Sequence, residues 1–328
     1  MKYFVTGATG FIGGQVARQL VAAGHSVVAL ARDPQKASDL QTLGVTVAPG
    51  DVTDKPTLRE PMRGVDGVFH LAGWYKVGRK DKRPGAAINI EGTRNVLETM
   101  RDLGIRKGVY TSTLAVNSDT RGKLVDESYR YDGPHLSEYD RTKWVAHYEI
   151  AEPMIAAGLP LVIVQPGVVY GPDDTSSMGD ALMRYLKRTL PLTPRYTAFS
   201  WGHVDDIAHA HLLAMERGKT GETYIIAGPT HTFIEALEIA ERITGIRAPR
   251  WHPGPAMTRF LAFQADIVGA VFPLPEAFAG ESIRVTAGTT YIGNNAKARR
   301  ELGYAPRALE LGLKETLEYD LELLQRKA

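Results

Sequence analysis

The first thirteen residues restrict this chain more than any other stretch. Tyr3-Phe4-Val5 is a short apolar run of strand type, followed at once by Thr6-Gly7-Ala8-Thr9-Gly10-Phe11-Ile12-Gly13. From Phe11 to Ala23 the apolar residues Ile12, Val16, Leu20 and Val21 recur at helical spacing. Strand, glycine turn and helix in that order are the opening of a dinucleotide-binding unit. Gly7 permits the sharp turn, Gly10 lets backbone approach a pyrophosphate, and Gly13 lets the helix pack close to the strand. The first amides and positive dipole end of the helix then face phosphate oxygens. The spacing is G-x-x-G-x-x-G, and three glycines by themselves also occur in plain strand–helix turns.

The alternation of strand and helix continues through the first half of the chain. Ser26–Ala31, 45–48, 68–71, 108–111 and 161–164 read as buried strands, separated by helical patterns at 34–43, 56–62, 88–103 and 137–157. Such alternation builds an α/β fold, a doubly wound parallel sheet of Rossmann type that binds ligands at the carboxyl ends of its strands. After residue 165 the regularity breaks at Pro166, Pro172, Pro191 and Pro194. A helix over 178–188, then a helix over 201–216 and a strand over 222–227, are expected. We therefore assign 1–170 and 196–228 to the dinucleotide-binding domain, and 171–195 and 229–328 to a smaller substrate-binding lobe. The apolar stretch 257–271 contains Arg259, Gln264 and Asp266, which points to a helix lining a pocket rather than a membrane span.

Composition removes whole classes of function. Lys plus Arg number 39 against 37 for Asp plus Glu, so nothing in the balance calls for a nucleic-acid partner or an anionic membrane. The absence of cysteine excludes disulfides, thiolate metal ligands and a cysteine nucleophile. A strand that begins at residue 2 or 3 leaves no room for a signal peptide, so the cytoplasm is the expected location. His70, His203, His209 and His211 do not share a face suited to zinc, and no metal is expected.

A second constellation lies in the long helix over 137–157. Tyr139 and Lys143 are four residues apart, one turn above the other on the same face. An ammonium beside a phenol favours the phenolate, which brings the Tyr139 pKa down toward the range of a general acid/base. A Tyr-x-x-x-Lys pair is also common on solvated helices. Here, however, Thr111-Ser112-Thr113 sits at the end of the preceding strand, where a hydroxyl could hold the oxygen that Tyr139 protonates.

The motifs TGATGFIG at 6–13, GDVTD at 50–54, HLAG at 70–73, NIEGTRNVLE at 89–98, YTSTLAV at 110–116, YDRTK at 139–143, QPGVVYGP at 165–172 and HVDDIAHAH at 203–211 cover most of the chain. Together they resemble the extended short-chain dehydrogenases/reductases of the NAD(P)-dependent epimerase/dehydratase superfamily. The resemblance implies Tyr139 as catalytic acid/base, Lys143 as the residue that lowers its pKa and holds the nicotinamide ribose, and Thr113 as the hydroxyl that orients the carbonyl. Most relatives carry Ser at the Thr113 position. It further implies cofactor contacts from Gly7, Thr9, Gly10, Phe11, Ile12, Gly13, Asp51, Val52, Leu71, Ala72, Gly73, Thr111, Tyr139, Lys143, Pro166, Gly167 and Val168, and a homodimer built on the helices over 89–103 and 137–157.

Ala31-Arg32-Asp33-Pro34 ends the second strand. An acid there suits the ribose hydroxyl of NAD and an arginine suits the 2′-phosphate of NADP. Arg32 comes first, and Arg-Asp-Pro resembles the NADP-dependent dihydroflavonol-reductase-like branch, so NADP is the expected cofactor, with NAD as the alternative. Gln165 stands where sugar-nucleotide epimerases carry arginine. Trp74, Tyr75, Leu114, Val169, Tyr170, Trp201, Trp251, Phe260 and Phe263 are the expected wall of a pocket for an apolar or aromatic small-molecule carbonyl. Arg195 and Arg250 could instead meet a diphosphate. The expected reaction is therefore carbonyl reduction, with a sugar-nucleotide epimerase or dehydratase and a non-catalytic cofactor sensor as alternatives.

Overall fold

Seven parallel strands form the main sheet of the computed structural model, which describes residues 1–78, 81–272 and 274–327. They are β1 (Lys2–Thr6), β2 (Ser26–Ala31), β3 (Thr46–Pro49), β4 (Gly67–His70), β5 (Gly108–Thr111), β6 (Leu161–Pro166) and, later in the chain, β9 (Thr223–Ile226). Their order is β3-β2-β1-β4-β5-β6-β9. The direction of winding reverses between β1 and β4, which opens a crevice at their carboxyl ends. Register places Val5 beside Ala29 and Phe69, and His70 beside Tyr110.

Alternate residues of each strand feed two separate cores. Val5 and Phe69 pack under the helices Phe11–Ala22 and Val204–Arg217 with Val16, Leu20 and Ile207. Phe4, Val68 and Tyr110 face the other way, against Val96, Leu97, Met100 and Ile150. Each such side chain, fully buried, contributes about 1.5–3 kcal/mol, and burial on both faces is why these strands are continuous apolar runs.

The helices over 83–102 and 138–156 lie on this second face. Each has a π-helical stretch, Ala86–Gly92 in one and Ala146–Ala151 in the other. The first helix begins five residues before the expected start at Ile88, with Pro84 in its first turn, where a missing amide costs nothing. The extra residue in a π turn re-aims side chains. Asn89 is brought against the Tyr139 helix, and its Nδ2 donates to Thr142 Oγ1 at 2.9 Å.

A second sheet departs from the expected organisation. β8 (Ala198–His203) pairs with β7 (Val168–Tyr170), β10 (Thr230–Thr232) and β11 (Thr290–Tyr291). Trp201-Gly202-His203 is therefore the end of a strand and not the start of the following helix. β8 runs straight into that helix, because His203 itself caps it by accepting from Asp205 N at 3.4 Å, leaving no glycine or proline between the two. Behind this sheet a third core gathers Tyr170, Leu182, Tyr185, Trp201, Leu237 and Leu313, drawn from helices Ser177–Leu186, Phe233–Thr244 and Leu309–Lys327. Among the described residues no helix is long and apolar enough to cross a membrane.

Candidate active site

The glycine turn has the geometry that a pyrophosphate cradle needs. Gly7 adopts φ 74°, and a Cβ there would lie 2.7 Å from Ala72 N. Gly10 N donates to Gly7 O at 2.9 Å, closing the turn. A Cβ on Gly13 would sit 2.1 Å from Gly7 O, so only glycine lets the helix come this close. The helix Phe11–Ala22 has no side-chain cap and no acidic residue in its first turn. Its amides and dipole are left for an anion. Thr9 and Gly10 are exposed, while Phe11 and Ile12 are half-buried. The residues present thus fit a bound dinucleotide.

The neighbouring strand end is wired to this turn. Thr6 Oγ1 hydrogen-bonds His70 Nδ1 at 2.7 Å and accepts from Leu71 N and Ala72 N at 3.2 and 3.1 Å. His70 Nε2 in turn meets Thr93 Oγ1 at 3.0 Å, and burial pushes its pKa down to about 3. His70 is therefore a neutral strut. Asn89 accepts from Trp74 N at 2.7 Å and donates to Trp74 O at 2.9 Å, which fixes the backbone just past the exposed Gly73. Asn89 opens the motif at 89–98, yet its spacing alone implies no role for it; the signal is a buried amide that serves both backbone groups of one residue.

β5 carries the reactive group of residues. Lys143 is buried, and its Nζ donates to Thr111 O at 2.8 Å and to Tyr110 Oη at 3.2 Å. Burial lowers its pKa to about 7. Tyr139 is half-buried on the same helix face, with the Thr113 side chain at the strand end near enough to draw the pKa of its phenol down. The expected lowering of the Tyr139 pKa by Lys143 is not what this arrangement produces. Burial pushes the phenol up to about 12, against the opposing pull of the Thr113 side chain, and Lys143 donates instead to Thr111 O and Tyr110 Oη at the end of β5. The phenol is held protonated, the form that donates a proton. Ser137 caps the helix by accepting from Asp140 N at 3.1 Å.

Thr111 faces two ways. Its hydroxyl bonds His211 Nε2 at 2.9 Å, and its carbonyl accepts from Lys143 at the site. The Asp51 carboxylate accepts from the amide and hydroxyl of Thr53, both at 2.9 Å, and Val52 is buried against Gly92. Pro166 closes β6, and Gly167 and Val168 lead into β7, half-buried. Arg32 is exposed just beyond β2 and has no ion pair among the described residues. Asp33 is engaged, accepting from Gln35 N at 3.1 Å and lying 3.8 Å from Lys36.

The expected aromatic wall is largely corrected. Tyr170 and Trp201 belong to the third core, where Trp201 Nε1 donates to His231 O at 3.1 Å. Leu114 is buried against Gly293. Trp251, Phe260 and Phe263 are exposed, and the helix Pro255–Val271 buries only Thr258 and Ala262, so the rings do not form a packed wall. Arg195 and Arg250 are exposed too. Trp74, Tyr75 and Val169 remain partly accessible at the strand ends.

Comparison with known proteins accords with this geometry. A Synechocystis protein that bears the provisional name dihydroflavonol 4-reductase is 31% identical over 325 residues, covering 97% of this chain and 94% of that protein. A 4-hydroxy-2-methyl-3-oxo-4-farnesyl-3,4-dihydroquinoline-1-oxide ketoreductase of Stigmatella aurantiaca is 32% identical over 312 residues, covering 94% and 92%. Among solved structures, gox2253 superposes with a TM-score of 0.83 at 28% identity over 98% of both chains. A UDP-glucose 4-epimerase of Thermotoga maritima shares the fold with a TM-score of 0.77 at 22% identity, over 99% and 100%. Residues 3–227 match the NAD dependent epimerase/dehydratase family. The chain belongs to that family, as an extended short-chain dehydrogenase/reductase and an NAD(P)-dependent enzyme.

Proposed function

We propose that this protein reduces the ketone or aldehyde of an apolar small molecule with NADPH. The observation that carries the reading is the set at the end of β5: the Tyr139 phenol beside the Thr113 hydroxyl, with buried Lys143 pinned to Thr111 O at 2.8 Å. When bound, the cofactor supplies the hydride that reaches the carbonyl carbon. Tyr139 gives its phenolic proton to the carbonyl oxygen, and Thr113 holds that oxygen by a hydrogen bond. Lys143 sets a positive charge beside the oxygen as it becomes anionic, in a site where burial strengthens the effect. The turn over Gly7–Gly13 holds the pyrophosphate on backbone amides, and the strut of Thr6 and His70 keeps the 71–73 backbone in place beneath it.

The preference for NADPH rests on the end of β2. Asp33 is committed to its own turn and to Lys36, while Arg32 is exposed and without an acidic partner among the described residues. A guanidinium there offers a 2′-phosphate a bidentate contact. The apolar substrate class is supported by Gln165, in place of an arginine, and by the farnesyl-bearing ketone named for the Stigmatella ketoreductase.

The test is a titration with NADPH and a panel of apolar ketones and aldehydes, following nicotinamide absorbance. Multiple turnovers are expected. Arg32→Ala should raise the KM for NADPH at least about tenfold and leave NADH nearly unchanged. Conversion of a UDP-sugar without net oxidation, or binding without turnover, would overturn the reductase reading. Equal effects of Arg32→Ala on both cofactors would remove the NADP preference.

A further inference from the structure

The helix Pro255–Val271 is inverted relative to a water-facing helix. Its packed side holds Thr258 and Ala262. At 100° per residue, Phe260, Ile267 and Val271 lie on the opposite side, and they are 54%, 51% and 73% exposed. Met257 and Val268 flank them, and Phe272 continues the stripe past the helix end. Gln264, exposed and uncharged, lies within this stripe, and a predominantly apolar face pointing into water marks a surface that meets something apolar.

Charge around the stripe decides what that is. Residues 245–265 contain Arg247, Arg250 and Arg259 and no acid, and residues 187–197 contain Lys187, Arg188 and Arg195 and no acid. The two segments are bound together, Thr193 N donating to Trp251 O at 3.0 Å and Arg195 N to Pro253 O at 2.9 Å. Arg188 and Arg247 line one cavity between them. None of these arginines has a carboxylate partner among the described residues, whereas Asp266, the single acid of the helix, is held by Arg284. Trp251 and Tyr196, both exposed, stand where the two segments meet at the start of the helix. An apolar stripe, a basic margin and aromatics at the edge together match the interface of an anionic bilayer, in which such a helix lies parallel to the surface.

We propose that this lobe docks on an anionic lipid surface through the outer face of the helix Pro255–Val271 and its arginine margin. The surface is coupled to the reactive site through one intervening element. The short helix Gly280–Arg284 packs on the docking helix. From it, Glu281 accepts from Glu138 N, next to Tyr139, and from Lys82 Nζ, each at 3.0 Å, and from Gly78 N at 3.0 Å. Glu281 thereby ties the element behind the docking helix to the first turn of the Tyr139 helix. The proposal stands apart from the reductase reading, since docking requires no turnover.

The test is co-sedimentation of the full chain with vesicles of phosphatidylcholine plus phosphatidylglycerol, against phosphatidylcholine alone. Binding to the anionic vesicles that weakens with salt is expected. Arg250→Glu with Arg259→Glu should lower partitioning by about tenfold or more. Phe260→Ser with Ile267→Ser and Val271→Ser should abolish it, while NADPH affinity in solution stays unchanged as the folding control. Brominated lipid should quench fluorescence that is lost in Trp251→Phe. Failure of the wild type to bind, binding that ignores these substitutions, or a wild-type dimer that the triple variant converts to monomer would each overturn the proposal.

Discussion

The carboxyl ends of β1, β4 and β5 and the outer face of the helix Pro255–Val271 present opposite kinds of exposed surface. At the strand ends the working parts are backbone: Gly7 at φ 74°, the free amides of the helix after it, and the Thr111 carbonyl that anchors Lys143. The glycine turn and the amides after it are set by covalent spacing within one turn of chain. On the lobe helix the working parts are side chains, and which way Phe260 or Phe263 faces is decided by elements far away in sequence. Chemistry carried by the backbone is readable from a local pattern; the direction of an aromatic ring is not.

The largest expected effect separates catalysis from binding within the strand-end region. Tyr139→Phe removes the proton donor and keeps the ring, so kcat for carbonyl reduction should fall by about 10²–10⁴. Fluorescence titration should find NADPH affinity within about twofold of wild type. A comparable loss of cofactor affinity would show that Tyr139 acts by positioning, and the distinction between backbone cradle and reacting side chain would fail.

Next comes a comparison of the two lobe surfaces by stability. Leu182 is fully buried in the third core, and Leu182→Ala should cost about 2–5 kcal/mol in denaturant unfolding. A cost below about 1 kcal/mol would mean that this core is loosely packed and that the helix directions derived from it are unsafe.

Legibility in the sequence divides along the same line. The main sheet is legible because each strand is a continuous apolar run, and Ser26–Ala31 and Gly108–Thr111 begin and end where the pattern does. The grouping of Thr113, Tyr139 and Lys143 is legible from strand-end position and helical spacing. The sense of the Tyr139 shift is not, because it is set by burial of the phenol, which depends on packing across elements rather than on helical spacing. β8 is hidden for a similar reason: with His203 as cap, no turn residue divides strand from helix. Trp201 and Trp251 are chemically alike in the sequence, yet one is in the core and the other in solvent. Only packing across the 230s and 250s distinguishes them.

Lys143 offers a pH-resolved test of intermediate size. Burial lowers its pKa to about 7, so it is charged below that pH and neutral above it. The charge stabilises the developing alkoxide, so reduction should be level at lower pH and decline as pH rises past about 7, approaching tenfold per unit. kcat/KM with NADPH as the varied substrate reports the free enzyme and is the quantity to follow. Lys143→Arg, slower in absolute terms, keeps its charge and should lose the break. A break that survives in the arginine variant belongs to another group.

The smallest expected effect is the most specific to the lobe helix. Phe263 is 59% exposed, and a phenyl ring in water holds little folding energy, so Phe263→Ser should change stability by no more than about 0.5 kcal/mol. The same substitution at a pocket wall would cost several times that, because the ring would be leaving a packed site. Pairing Phe263→Ser with Leu182→Ala in one urea series makes the contrast internal to the lobe. If Phe263→Ser instead costs more than about 2 kcal/mol, the ring is covered in solution. The face would then belong to an interface between copies or to a closed pocket, and the lobe would resemble the strand ends more than it differs from them.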